Sequence, residues 1–143
     1  MNMKDERQFV GYSKYRSRLV DGHIHTELCP HGSGDRTAMM IEKAIELRIE
    51  KVCLTEHAPL PKAFAVEYGG DQKAYDTASL KLNQVDTYLE LGRQLQRAYG
   101  THIDISLGFE VDYIPGFETD IQEFLNRYGP LTDDNILSVH FME

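Results

Sequence analysis

Leu19-Val20-Asp21-Gly22-His23-Ile24-His25 sets how the whole chain is read. Polar and apolar side chains alternate along it, which is the period of a strand. Successive strand residues point to opposite sides, so His23 and His25 share a face at the strand's C-terminal end. A turn with His31, Gly32 and Gly34 follows, and Asp35 stands where a helix starts. Met40, Ile41, Ala44, Ile45 and Leu47 form that helix's apolar stripe, and Lys51-Val52-Cys53-Leu54-Thr55 is a short buried strand. A long helix is expected over 77–99, with Leu80, Val85, Tyr88, Leu89, Gly92 and Leu95 near one face. Ile103, Ile105 and Leu107 alternate in a third strand that ends in Gly108-Phe109-Glu110. A shorter helix over 119–127 and a fourth strand over 135–140 complete the series. Strands alternating with helices predict an α/β fold, its strands paired in parallel through right-handed crossovers.

Two segments fall outside this alternation. Residues 1–18 read as a lead-in or tail. Residues 58–76 hold Pro59, Pro61 and the Gly69-Gly70 pair without clear periodicity. Connections of that length in compact domains are usually functional or disordered, and this one is expected to be a loop over a binding site, with a mobile surface loop as the alternative.

Composition narrows the function classes. Of 143 residues, 41% are hydrophobic and 27% charged, which suits a globular chain of one domain or a piece of a larger one. The longest apolar runs are four residues, Ala38–Ile41 and Ala63–Val66. A membrane span needs about 20 and a secretory core at least about 7, so no membrane association is expected and the cytoplasm is the expected compartment. The net charge is −8; residues 1–18 carry +3 of it, which leaves −11 on the remainder. An acidic body repels a phosphate backbone, so nucleic acid is not an expected partner, whereas cations are. Cys29 and Cys53 form no CxxC pair and no disulfide is expected. Cys53 reads as a small core residue, and Cys29 lies between His25 and His31, where a place beside a metal is the minor reading.

The chemistry concentrates at the strand ends. His23 and His25 end the first strand, His57 follows the second, Glu110 ends the third and His140 the fourth, while His31 lies in the first turn. Neutral imidazoles two apart on one strand can grip one divalent ion, and in parallel barrels active sites assemble at the C-terminal edge. His102 begins a strand instead of ending one and is expected to be structural. Neither a GxSxG elbow nor a Walker A run occurs. The Ser33-Gly34-Asp35 turn is either an anion site at a helix N-terminus or a helix cap.

Four segments together resemble the polymerase-and-histidinol-phosphatase (PHP) superfamily, most closely its histidinol-phosphate phosphatases. They are Asp21–His31, Thr55-Glu56-His57-Ala58-Pro59-Leu60, Gly108-Phe109-Glu110-Val111-Asp112-Tyr113 and Asp133-Asp134-Asn135-Ile136-Leu137-Ser138-Val139-His140-Phe141. The similarity runs from Leu19 to Glu143. It implies a distorted (β/α)7 barrel, with residues 19–143 as about its N-terminal half. It also implies a site for up to three divalent ions: His23 and His25 on the first, Glu110 bridging it to a second that His140 also binds, His31 and His57 on the third. The family's remaining three ligands belong to segments beyond residue 143. The implied reaction is hydrolysis of a small phosphate monoester, L-histidinol phosphate, to L-histidinol and phosphate in histidine biosynthesis. Attack is by a metal-bound hydroxide with no protein base assigned. Zn²⁺ suits the His-rich set, with Mn²⁺ and Fe²⁺ as alternatives. Another phosphoesterase of the superfamily, or a non-catalytic fragment, is the competing reading, and a half-barrel alone is expected to self-associate. Two positions depart from the family pattern. Arg48 ends a helix where Gly is common, and Glu56 stands where many members have Asp, either acid serving to orient a ligand.

Overall fold

The computed structural model describes residues 19–67 and 76–141. The 1–18 lead-in and residues 68–75 of the expected site loop lie outside the described residues. Four parallel strands, β1 (Val20–Ile24), β2 (Lys51–His57), β3 (Asp104–Asp112) and β4 (Ile136–Ser138), stand in chain order and curl into half of a barrel. The helices are α1 (Thr37–Glu46), α2 (Lys62–Glu67), α3 (Val85–Tyr99) and α4 (Glu118–Tyr128). The core lies between sheet and helices: Val52 and Leu54 of β2 and Ile105, Leu107 and Phe109 of β3 meet Ile41, Val85, Tyr88 and Leu89. Cys53, expected in this core, is only half-buried, because strand alternation turns it to the opposite face from Val52 and Leu54.

Tyr88 binds the middle of the sheet. Its buried hydroxyl lies 3.0 Å from the Leu54 carbonyl and 2.6 Å from that of Gly108, and accepts the Glu56 N–H at 3.3 Å. Burial pushes its ionisation far up, so it stays a donor.

Several expected boundaries move. The 58–76 connection is not all loop, since α2 occupies part of it, with Pro61 directly before its start. A helix this short shows no period in sequence; it is held by Phe64, which packs on Phe117 and Phe141 at ring separations of 5.5 and 4.8 Å. The helix expected from 77 is interrupted: residues 76–78 are helical, the run breaks at Ser79, and the long regular helix begins at Val85 after a 3-10 turn at Leu82–Gln84. The Ser79 hydroxyl takes the Leu60 N–H and donates to the Leu80 carbonyl, which diverts the backbone there. Leu47 is 58% exposed, because α1 has ended before it. β4 pairs over three residues only, while β3 runs on to Asp112. Asp35 does not cap α1; it closes a turn with Ser33. The first helical N–H, that of Thr37, is taken by the Glu27 carboxylate, and the Thr37 hydroxyl accepts the Glu27 N–H in return. With that carboxylate in place, the N-terminus of α1 is not an anion site.

Arg48 has φ 59°. α1 closes with Ile49 N–H on the Ala44 carbonyl and Arg48 N–H on that of Ile45, a Schellman pattern with the left-handed position held by a side chain that disfavours it. Arg48→Gly is expected to raise stability by about 0.5–1 kcal/mol, since strain relief outweighs the added freedom of the unfolded chain. A urea midpoint at or below that of the parent chain would contradict this.

β3 reaches past the start of β4, and the preceding segment substitutes for the missing ladder. Asp133 accepts the Leu107 N–H at 2.9 Å, and the Asn135 side chain accepts the Phe109 N–H at 2.9 Å. This segment crosses so close that a Cβ on Gly108 would lie 1.5 Å from the Asp134 carbonyl oxygen. Gly108→Ala is therefore expected to cost about 3 kcal/mol, the upper end of overpacking penalties, because rigid backbone stands in the way. The check is the denaturation midpoint, where a loss under about 1 kcal/mol would show that the crossing segment is free to shift.

Candidate metal centre

The parallel ladder places the chemistry. His57 stands opposite Glu110, Glu110 opposite Ile136, and Asp112 opposite Ser138, so the C-terminal ends of β2, β3 and β4 lie side by side. β1 joins β2 alongside, and its end carries His23 and His25. The Glu110 carboxylate, 3% exposed, is the centre of the cluster. Its Oε2 lies 2.9 Å from His23 Nε2, 3.3 Å from His25 Nε2 and 3.2 Å from His57 Nδ1, and its Oε1 lies 3.4 Å from His140 Nε2. Five of the six expected site residues thus meet directly. His31 stands one ring further out, 5.0 Å from the His57 ring centroid. His102 is at the opposite end of β3, exposed and next to Thr101, as a strand-start residue should be.

Three histidines have their protons placed by oxygens that accept. His25 Nδ1 faces the Glu56 carboxylate at 3.1 Å, His31 Nδ1 the Thr77 carbonyl at 2.7 Å, and His140 Nδ1 the Asp112 carboxylate at 2.6 Å. Each therefore carries its proton on Nδ1 and leaves an Nε2 lone pair. Glu56 is fully buried and also accepts the Thr26 N–H at 2.8 Å, the Thr26 hydroxyl at 2.7 Å and the His57 N–H at 3.1 Å. Burial pushes its carboxyl up, but the hydrogen bonds from His25 and Thr26 outweigh that and leave it below the ordinary range. The hydrogen bond to Glu56 raises His25, whereas burial first, and then the charge of His25, lowers His57. Burial also opposes ionisation of Glu110, and the His23 hydrogen bond with the neighbouring imidazoles more than reverses it.

This donor set fits a divalent cation. His23 Nε2 and His25 Nε2 are 3.1 Å apart and share one carboxylate oxygen, so three donor atoms lie 2.9–3.3 Å from one another. Ligands of a tetrahedral ion bound at 2.0–2.1 Å are about 3.3 Å apart. His57, Asp112 and His140 form a second, looser group and His25, Cys29 and Glu56 a third, the donor atoms of each lying within 4.8 Å of one another. Cys29 is buried beside Glu56, and burial raises its thiol. Asp112 is the residue of the cluster that the strand-end reading passed over. Its signal was present, since a residue two after Glu110 in one strand points to the same face.

Known proteins resemble this chain in sequence and in fold. The family model described as PHP domain matches residues 21–143. Histidinol-phosphatase of Bacillus subtilis is 41% identical over 122 residues, 85% of this chain and 44% of that protein. A crystal structure of a candidate histidinol phosphatase from Listeria monocytogenes superposes with a TM-score of 0.83 at 44% identity, over 87% of this chain and 46% of that one. The histidinol phosphate phosphatase of Lactococcus lactis, solved with zinc, L-histidinol and phosphate, shares the fold with a TM-score of 0.67 at 23% identity, over 87% of this chain and 41% of that one. The chain thus spans under half the length of these relatives. With the family model covering all four strand-end motifs, the chain belongs to the PHP domain family.

Proposed function

We propose that this chain is the N-terminal part of a metal-dependent phosphatase that hydrolyses L-histidinol phosphate to L-histidinol and phosphate in histidine biosynthesis. The observation that carries the reading is the buried Glu110 carboxylate, encircled by His23, His25, His57 and His140 at the C-terminal edge of a parallel sheet. In this reading His23, His25 and Glu110 hold one ion, Glu110 and His140 a second, and His31 with His57 a third. Zn²⁺ is the ion assigned, with Mn²⁺ or Fe²⁺ as substitutes. Divalent ions held there supply positive charge for the phosphoryl oxygens and a nucleophile near neutral pH.

The chain's own residues do the rest. Glu56, the Thr77 carbonyl and Asp112 keep the imidazole lone pairs aimed inward. The net −11 of residues 19–143 disfavours nucleic acid as substrate. No described helix is long and apolar enough to cross a membrane, and the reaction assigned here belongs in the cytoplasm. Leu19 and Val20 at one edge of the sheet and Leu137 and Val139 at the other are exposed. We place pairing with the remaining strands of a closed barrel at these edges, where a chain lacking them self-associates.

Phosphate release from L-histidinol phosphate by the zinc-loaded full-length protein tests the assignment. His25→Ala is expected to lower turnover by at least about 100-fold and to reduce bound metal, because a ligand is lost and its Glu56 anchor is left behind. His102→Ala is expected to stay within about twofold, a change too small to reflect a catalytic contact. Preference for a different monoester would assign another phosphoesterase activity, and turnover without metal would sink the reading.

A further inference from the structure

His140 is held in a way the strand ladder does not explain. β4 ends at Ser138, and the ladder's last contact is the Tyr113 N–H on the Ser138 carbonyl at 2.8 Å. His140 lies two residues beyond, with half of its side chain exposed, where the backbone no longer dictates the ring's direction. Asp112 supplies what the ladder lacks. Its carboxylate is 8% exposed, and its Oδ1 lies 2.6 Å from His140 Nδ1 and accepts the Ser138 hydroxyl at 3.1 Å. Asp112 and Ser138 are themselves opposed in the β3–β4 register, so the acceptor is fixed by two strands before it meets the ring. A carboxylate cannot donate, so the proton between Asp112 and His140 belongs to Nδ1. The opposite nitrogen then faces Glu110 Oε1 at 3.4 Å with its lone pair.

We propose that Asp112 is a positioning residue whose carboxylate locks His140 in the Nδ1–H tautomer and so aims Nε2 at the Glu110 carboxylate. The tautomer follows from geometry alone, while its consequence for cation binding rests on the metal-site reading given under Proposed function. Asp112 plays for His140 the part that Glu56 plays for His25, and in each pair the acid and the imidazole come from adjacent strands. Outer carboxylates of this kind strengthen an imidazole as a ligand and hold its plane. Because Asp112 also stands near His57, direct ligation by Asp112 is the rival that the test must separate.

Two measurements do so. The first is a long-range ¹H–¹⁵N correlation spectrum of the metal-free full-length protein, labelled at histidine, above about pH 8, well past the value of an unperturbed imidazole. His140 is expected as the Nδ1–H tautomer in the parent chain and in Asp112→Asn, whose amide oxygen still accepts, and as mainly Nε2–H in Asp112→Ala. The second is competition titration with zinc alone. Asp112→Ala is expected to weaken binding about 10- to 100-fold at unchanged stoichiometry, with Asp112→Asn recovering most of the loss. An Nε2–H tautomer in the parent chain, or unchanged tautomer and affinity in Asp112→Ala, overturns the proposal. Loss of one zinc equivalent in both variants also overturns it, by making Asp112 a ligand. If the full-length parent protein binds no zinc, the metal-site reading fails, and the spectrum still decides whether Asp112 sets the ring.

Discussion

Glu110→Gln is expected to lower phosphate release in the full-length protein by about a thousandfold or more, some 4 kcal/mol of barrier. It is also expected to remove at least one equivalent of tightly bound zinc. The substitution keeps the shape of the side chain and changes only its donor set. In the parent chain four imidazole nitrogens lie within 3.4 Å of the two Glu110 oxygens. A carboxamide offers one oxygen and turns an NH₂ group toward the rest. That group can hydrogen-bond to an imidazole lone pair but cannot share a cation with it. Folding is expected to survive, because Gln keeps the volume of Glu110 and one accepting oxygen. Metal content by mass spectrometry and the thermal melt of the metal-free protein check both halves. Retained zinc with retained turnover would remove Glu110 from the centre of the site.

Glu56→Ala is expected to have the largest effect on stability, a loss of about 3–5 kcal/mol, the range for breaking a buried ionic network from one side. Glu56 is fully buried and its two oxygens serve four donors on two chain segments: Thr26 through both N–H and hydroxyl, the His25 ring and the His57 N–H. Without the carboxylate these donors stay in the interior unpaired. Glu56→Gln keeps one accepting oxygen and is expected to fall between. Acid acts on the same group. Glu56 is held below the ordinary carboxyl range, so its stabilising contribution is complete above that range and is lost as pH falls through its depressed value. Urea unfolding of the two variants and of the parent chain, at neutral pH and at pH 4, is the measurement. A Glu56→Ala loss under about 1 kcal/mol would show that water replaces the carboxylate and that the β1–β2 corner does not depend on it.

The legible parts of this protein were local in sequence. Alternation over 19–25 and 103–107 and the apolar run over 51–55 are periods of one strand each, so the parallel α/β order could be read without knowing any contact. The site was legible for the same reason. Once strands are parallel, residues at their C-terminal ends must lie together, and His23, His25, His57, Glu110 and His140 are each at such an end. Arg48 is a further local case, since a Schellman closure needs a left-handed residue just past the helix end, and φ there is 59°.

The tertiary structure decided what depends on partners far away in the chain. α2 forms because Phe64 finds Phe117 and Phe141, more than 50 residues on, and six residues have no period strong enough to announce it. Glu27, not Asp35, satisfies the start of α1, because the corner after β1 folds back onto the helix. Gly108 is required by the carbonyl of Asp134, and the direction of His140 is set by Asp112 across the ladder. By itself the sequence determined which residues reach the sheet edge, because strand period and parallel order carry them there. Only the folded sheet decided which oxygen each imidazole faces, because a hydrogen bond at 2.6–3.1 Å depends on register, twist and the burial of both partners together.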